Sequence, residues 1–117
     1  MKENLLVDLS RKFAVDIIKL YDSIRETKKH TVIINQLIRC GTSIGANIHE
    51  GNYAASWADF ISKFQIALKE CYETEYWLKI MKDASIIGED TYNEYFAKCS
   101  KIRKLLSASL KTAKDNV

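Results

Sequence analysis

Gly41-Thr42-Ser43-Ile44-Gly45 spells G-x-S-x-G, the pattern that carries the nucleophile of many serine hydrolases. Such a serine is reactive because a strained strand-to-helix turn lifts its hydroxyl above a sheet. Here the apolar residues on both sides repeat at helical spacing, and no strand pattern precedes the motif. The chain is also too short for the hydrolase fold, so the match is read as a stretch of helix. The same two glycines form G-x-x-x-G, which in this setting permits close approach of a neighbouring helix. His49-Glu50 opens like the zinc-protease motif H-E-x-x-H, but Tyr53 stands where the second ligand belongs. There is no P-loop and no dinucleotide-binding glycine pattern. His30, beside Lys28 and Lys29, reads as a solvated loop residue. Cys40, Cys71 and Cys99 are odd in number, widely spaced and without a C-x-x-C pair, which favours buried reduced thiols over a disulfide framework or zinc site. No enzymatic activity, cofactor or metal is expected.

A second group of polar residues is harder to dismiss. Gln36, Arg39, Ser43, Asn47 and Glu50 line up at near-helical spacing beside an apolar face, and Glu75 falls inside the apolar stripe of a later helix. An unpaired carboxylate there is costly. Arg39 pairing with Glu75, or with Glu70 or Glu73 across a subunit boundary, would remove that cost and fix helix register. The stripe, with Glu73 and Glu75, is read as a polar seam rather than an active site, because no carboxylate pair in it divides acid from base.

The elements that carry these residues are helices. Leu6, Leu9, Phe13, Ile17, Leu20 and Ile24 keep three-and-four spacing over a first segment from about Leu5 to Arg25. A polar break at Thr27-Lys28-Lys29-His30 follows. The second segment, from about Thr31 to Glu50, has Ile34, Leu37, Ile38, Gly41, Ile44, Gly45 and Ile48 on its apolar side, with Gly51 as the expected C-terminal stop. Ser56-Trp-Ala-Asp59 is a capping box that opens a third helix running to about Lys82, and Thr91-Tyr-Asn-Glu94 is expected to open the fourth, running to about Lys114. Four segments of this length are each roughly 30 Å long, and their short connections favour an antiparallel up-down-up-down bundle. The expectation is one all-α domain over residues 1–117.

Bulk composition agrees with this reading. The chain has 117 residues, 47% of them hydrophobic and 28% charged, with no proline to interrupt helices. A net charge of +3 says little about partners unless the charges cluster. The stretch MKENLLVDLSRKF lacks the uncharged apolar run of a signal peptide, and nothing approaches the roughly 20 apolar residues of a membrane span. A cytoplasmic protein that avoids membranes is expected.

Two surfaces stand out against that background. On the third helix Trp57, Phe60, Phe64, Ala67, Leu68, Cys71 and Leu78 form the core stripe. Ile66, Trp77 and Ile80 gather roughly opposite, with Tyr76 between. A helix apolar on two sides is usually covered on two sides, so these four residues are the expected homo-oligomer interface. From Lys98 to Lys114 the last helix carries Lys98, Lys101, Arg103, Lys104, Lys111 and Lys114 and no acidic residue. Two readings stand: a face that contacts RNA or DNA backbones, or a solvated lysine face aided by the helix dipole.

Gln36-Leu-Ile-Arg39-Cys-Gly-Thr-Ser43-Ile44-Gly-Ala-Asn47-Ile48-His-Glu50-Gly51 resembles the pattern Q-L-x-R-x-x-x-S-I-x-x-N-I-A-E-G of the four-helix-bundle proteins encoded in intervening sequences of bacterial 23S rRNA genes. The stretch from Phe60 to Leu78, with its closely spaced glutamates, is similar to the third helix of that family. His49 departs from the pattern, replacing a small alanine. The resemblance implies a homopentameric barrel of bundles in which Arg39, Ser43, Asn47, Glu50, Glu73 and Glu75 are signature polar residues. The accessory variability determinant of diversity-generating retroelements, similar in fold, implies two partner classes, a reverse transcriptase and nucleic acid. The functional expectation is a homo-oligomeric scaffold with a nucleic-acid-binding surface on the last helix. The alternative is a module that docks a partner protein without binding nucleic acid itself.

Overall fold

The computed structural model describes residues 4–27 and 29–116. Their regular structure is helical throughout: α1 (Asn4–Ile24) with a short 3-10 turn after it (Arg25–Thr27), α2 (Thr31–Asn52), α3 (Trp57–Asp83) and α4 (Glu89–Lys114). The four helices pack in cyclic order, each against its neighbours in sequence, with α4 returning to α1. The body is a rod of 47 × 20 × 20 Å. No helix among the described residues is long and apolar enough to cross a membrane.

Local chemistry sets the helix ends, and two ends differ from expectation. Ser56 caps α3 as its sequence pattern requires: its Oγ accepts a hydrogen bond from the Asp59 N–H at 3.1 Å. The Thr91-Glu94 pattern, by contrast, does not open α4. That helix starts two residues earlier at Glu89, with Gly88 in the N-cap position and no side-chain cap. Glu89 and Asp90 place negative charge on its first turn, which the helix dipole favours.

Gly51 is not the stop of α2 either, since the helix continues through Asn52 and Tyr53 caps it. Gly51 is required for another reason. A Cβ there would lie 2.6 Å from Cδ1 and Cε1 of Phe64, so the missing side chain is what lets the aromatic ring seat against α2. Gly41 and Gly45 serve the α1–α2 contact in the same way, facing the Ile17 side chain and the Ser10 carbonyl.

α3 ends in a Schellman motif: the Ile86 N–H donates to the Met81 carbonyl at 2.8 Å and the Ser85 N–H to Lys82 at 3.0 Å. The motif needs a left-handed residue, and Ser85 supplies it at φ 60 without being glycine.

The core runs the length of the rod. Phe13 and Ile17 from α1, Leu37, Ile44 and Ile48 from α2, Phe60, Phe64 and Leu78 from α3, and Ile102 and Leu106 from α4 are almost wholly buried. Trp57 and Leu68, expected in the core stripe, are only half-buried at its margin. All three cysteines are buried in this core. Burial pushes the Cys40 thiol up to about 11, and Cys99 is pushed up first by its neighbour Cys71 and then by burial. Inert thiols follow from that environment.

Candidate functional site

On the α2–α3 side Arg39 is the hub. Its Nη2 donates to Glu73, its Nη1 to Glu70 Oε2 at 3.2 Å, and its Nε reaches Gln36 Oε1 at 3.4 Å. Arg39 therefore pairs within its own chain, with Glu70 and Glu73 and not with Glu75. The Trp77 indole N–H donates to the same Glu73 oxygen at 3.1 Å. Held by Arg39 first and by Trp77 as well, the Glu73 carboxyl lies below the usual range, and the Arg39 guanidinium is correspondingly raised.

Further along this side Glu50 meets Lys63 at 3.8 Å. Ser43 and Asn47 do not bridge the helices in the single chain. The Ser43 hydroxyl donates to the Arg39 carbonyl at 2.7 Å, and the Asn47 amide to the Ser43 carbonyl at 2.9 Å, both on α2 itself. A serine hydroxyl committed to its own helix backbone lacks the activating base of a nucleophile. His49 packs against Tyr53 as a tilted ring pair, with centroids 5.1 Å apart.

The second apolar group of α3 flanks this network. Ile66 and Tyr76 are exposed, at 41% and 56% of their surface. Trp77 and Ile80 are half-buried, and Trp77 lies against the core. Trp77 and Ile66 thus sit on the shoulder of α3 nearest α2, while Tyr76 and Ile80 lie nearly opposite the buried stripe. A 100° step places Trp77 about a quarter-turn from the buried stripe.

Glu75 finds a partner that its position in the sequence does not advertise. Arg103 of α4 places Nε 3.1 and 3.0 Å from the two carboxylate oxygens, and the Ser100 hydroxyl donates to Oε2 at 2.8 Å. The Arg103 guanidinium also lies over the Tyr72 ring, 5.4 Å from its centroid. Among the described residues no buried side-chain nitrogen or oxygen lacks a hydrogen-bond partner. The signal that could have revealed this pair is the Ser100–Arg103 spacing, which sets both on the α4 flank that turns toward α3.

The basic residues of α4 consequently fall into two groups. Arg103 is spent on Glu75, and Lys98 on Asp16 of α1 at 3.0 Å and Glu94 at 2.9 Å. Lys101, Lys104, Lys111 and Lys114 are exposed, with no ion-pair partner among the described residues. They form a ridge along the outer face of α4. A sequence count of cations cannot separate these four from the two that hold the bundle together.

The family profile described as 23S rRNA-intervening sequence protein matches residues 2–108. Among solved structures, the chain is similar to a protein of unknown function from the S23 ribosomal protein family of Bacteroides thetaiotaomicron. The two share 44% identity with a TM-score of 0.90 over 95% of this chain and 99% of that one. None of the curated proteins matches the chain.

Proposed function

The chain belongs to the 23S rRNA-intervening sequence protein family, and from that premise we propose that it is a non-enzymatic, self-associating cytoplasmic scaffold whose last helix offers a lysine ridge to RNA or DNA backbones. The observation that carries the nucleic-acid reading is the ridge itself. Lys101, Lys104, Lys111 and Lys114 lie exposed on one helix, and none is neutralised by a carboxylate among the described residues. Cations left uncommitted on one face suit phosphate contacts, and repetition around an oligomer would multiply them into a band. Backbone contact of this kind is salt-sensitive and indifferent to sequence.

Self-association is supported by the exposed Ile66 and Tyr76 beside half-buried Trp77 and Ile80. A pentameric barrel is the arrangement implied by the family resemblance. An antiparallel up-down-up-down order is supported by the packing, since residues late in one helix meet residues early in its neighbour: Gly51 of α2 with Phe64 of α3, and Gly45 of α2 with Ser10 of α1.

Two measurements test the proposal together. Light scattering at micromolar protein should return a multiple of the chain mass. Retention of RNA or DNA at low salt should fall steeply as salt rises, and Lys101→Glu, Lys104→Glu and Lys111→Glu combined should abolish it without changing that mass. Each lysine withdrawn from a phosphate should reduce the logarithmic salt slope by about 0.7–0.9. A monomer with no retention at low salt would end both halves of the reading.

A second reading, a module that docks a partner protein such as a reverse transcriptase, is favoured by one specific feature. The seam between α1 and α4 is open.

A further inference from the structure

Of the four seams between neighbouring helices, α1–α4 is packed most loosely. It is pinned at one end, where the Tyr95 hydroxyl donates to the Asp16 carbonyl at 3.0 Å and Lys98 reaches the Asp16 carboxylate. Beyond that pin the helices part over two successive cavities. The first, of about 300 Å³, has Leu9, Phe13 and Ile102 as its floor and Lys12 and Lys101 on its rim. The second, of about 250 Å³, continues the seam between Leu5 and Leu6 on one side and Leu105, Ala108 and Thr112 on the other. From Lys98 to Thr112 the groove spans about 20 Å, the length of a helix of about 14 residues.

We propose that this groove receives an amphipathic α-helix of another protein, apolar on the face that enters it and acidic at the end that lies over Lys12 and Lys101. The dimensions and chemistry carry this. A gap between two helices, apolar along its floor, is filled by the ridge of a third helix. The small side chains Ala108 and Thr112 let a backbone come close at the end away from the pin. At the pinned end the surplus charge is positive: the Asp16 carboxylate on the lining is engaged by Lys98, which leaves Lys12 and Lys101 to be met by carboxylates from outside.

A second copy of this chain fits less well. Its exposed apolar face on α3 carries Glu70 and Glu73 already bound to Arg39, with exposed Lys69 beside them. The exposed Val15 and Ile18 of α1 lie among Asp8 and Asp22 already paired with Arg11 and Arg25, so neither face brings surplus negative charge. The inference deepens the partner-docking reading and meets the lysine ridge at Lys101 alone, which stands on the groove rim; Leu5 and Lys12, the residues its test changes, lie on α1 outside the ridge.

The test uses the full chain and a fluorescein-labelled synthetic helix of about 18 residues, long enough to fill the groove. The helix carries leucines at three-and-four spacing and glutamates at one end, and a matched peptide carries lysines in place of the glutamates. Anisotropy should show the acidic peptide binding and the basic one failing. Leu5→Glu changes a side chain already 57% exposed, so the fold survives it, and it should weaken the acidic peptide about tenfold. Lys12→Glu should weaken the acidic peptide and restore binding of the basic one. Nucleic-acid retention should be unchanged in Leu5→Glu, whose side chain lines the second cavity away from Lys101, which separates failure here from failure of the ridge. Equal binding of the two peptides, indifference to both substitutions, or no binding at high micromolar peptide would overturn the proposal. So would a fall in the oligomer mass on peptide addition, which would place the groove between copies of this chain.

Discussion

Arg103 and Glu75 close the α3–α4 seam from opposite sides. The guanidinium lies 3.1 and 3.0 Å from the two carboxylate oxygens, while Ser100 donates to one oxygen and accepts from Arg103 Nη2 at 3.3 Å. Glu75 is 9% exposed and Arg103 belongs by sequence to a run of surface cations, so the pair draws a basic residue inward to satisfy an acid in the core stripe.

Breaking this pair from one side should be worse than removing it. Arg103→Met leaves a buried carboxylate with only a hydroxyl for company and is expected to destabilise the chain by about 3 kcal/mol. Glu75→Leu strands a guanidinium that can swing toward water, so its cost should be smaller. The double variant Glu75→Leu with Arg103→Met should recover most of the loss, giving a coupling of about 2 kcal/mol in a urea double-mutant cycle. Additive single effects would show that the pair contributes nothing of its own. Nucleic-acid retention should be insensitive to Arg103→Met, because that cation is already committed.

What the sequence made legible was what is local. Helical spacing located all four segments, Ser56 announced its cap, and the stripe of α3 placed Glu75 among core residues. What stayed hidden was registration between helices. Arg39 and Arg103 are both one long side chain away from several carboxylates. Only the relative sliding of α2, α3 and α4 decides that Arg39 takes Glu70 and Glu73 while Arg103 takes Glu75. The two misplaced helix ends share a cause of another kind. Thr91 has the composition of a cap, yet Gly88 already provides the extended residue (φ −81, ψ 171) at which the chain turns into α4. Gly51 looks like a terminator, yet it is fixed by the volume of the Phe64 ring. The α1–α4 groove left no periodic trace, because an open seam and a closed one can use the same apolar positions.

Two substitutions of opposite sign test the glycine and left-handed positions. Gly51→Ala forces a methyl to 2.6 Å from the Phe64 ring, which is backed by the core, and overpacking of this kind should destabilise the chain by about 1–3 kcal/mol. Ser85→Gly relieves a left-handed residue at φ 60 in the Schellman motif and should stabilise by about 1 kcal/mol. For a domain of this size the second change corresponds to a rise in Tm of about 4 °C, readable by calorimetry or circular dichroism. A neutral Gly51→Ala would mean that α2 and α3 can separate at that level without loss.

Trp77 offers an optical report on the Arg39 network. Its indole N–H and the Arg39 guanidinium both donate to Glu73 Oε2 and hold that carboxyl below its ordinary value. A carboxyl depressed on folding stabilises the native state at every pH above its unfolded value of about 4.3 and loses that contribution as pH falls through the folded one. With Trp57→Phe removing the other indole, Trp77 emission should therefore change on acidification with a midpoint under the usual carboxylate range. Glu73→Gln should erase the transition, since an amide does not titrate. Arg39→Leu should move the midpoint upward, because the larger of the two depressing interactions is gone while the indole remains. A midpoint in the ordinary carboxylate range in the unmodified network, or one indifferent to Arg39→Leu, would show that Glu73 is not held by Arg39 in solution.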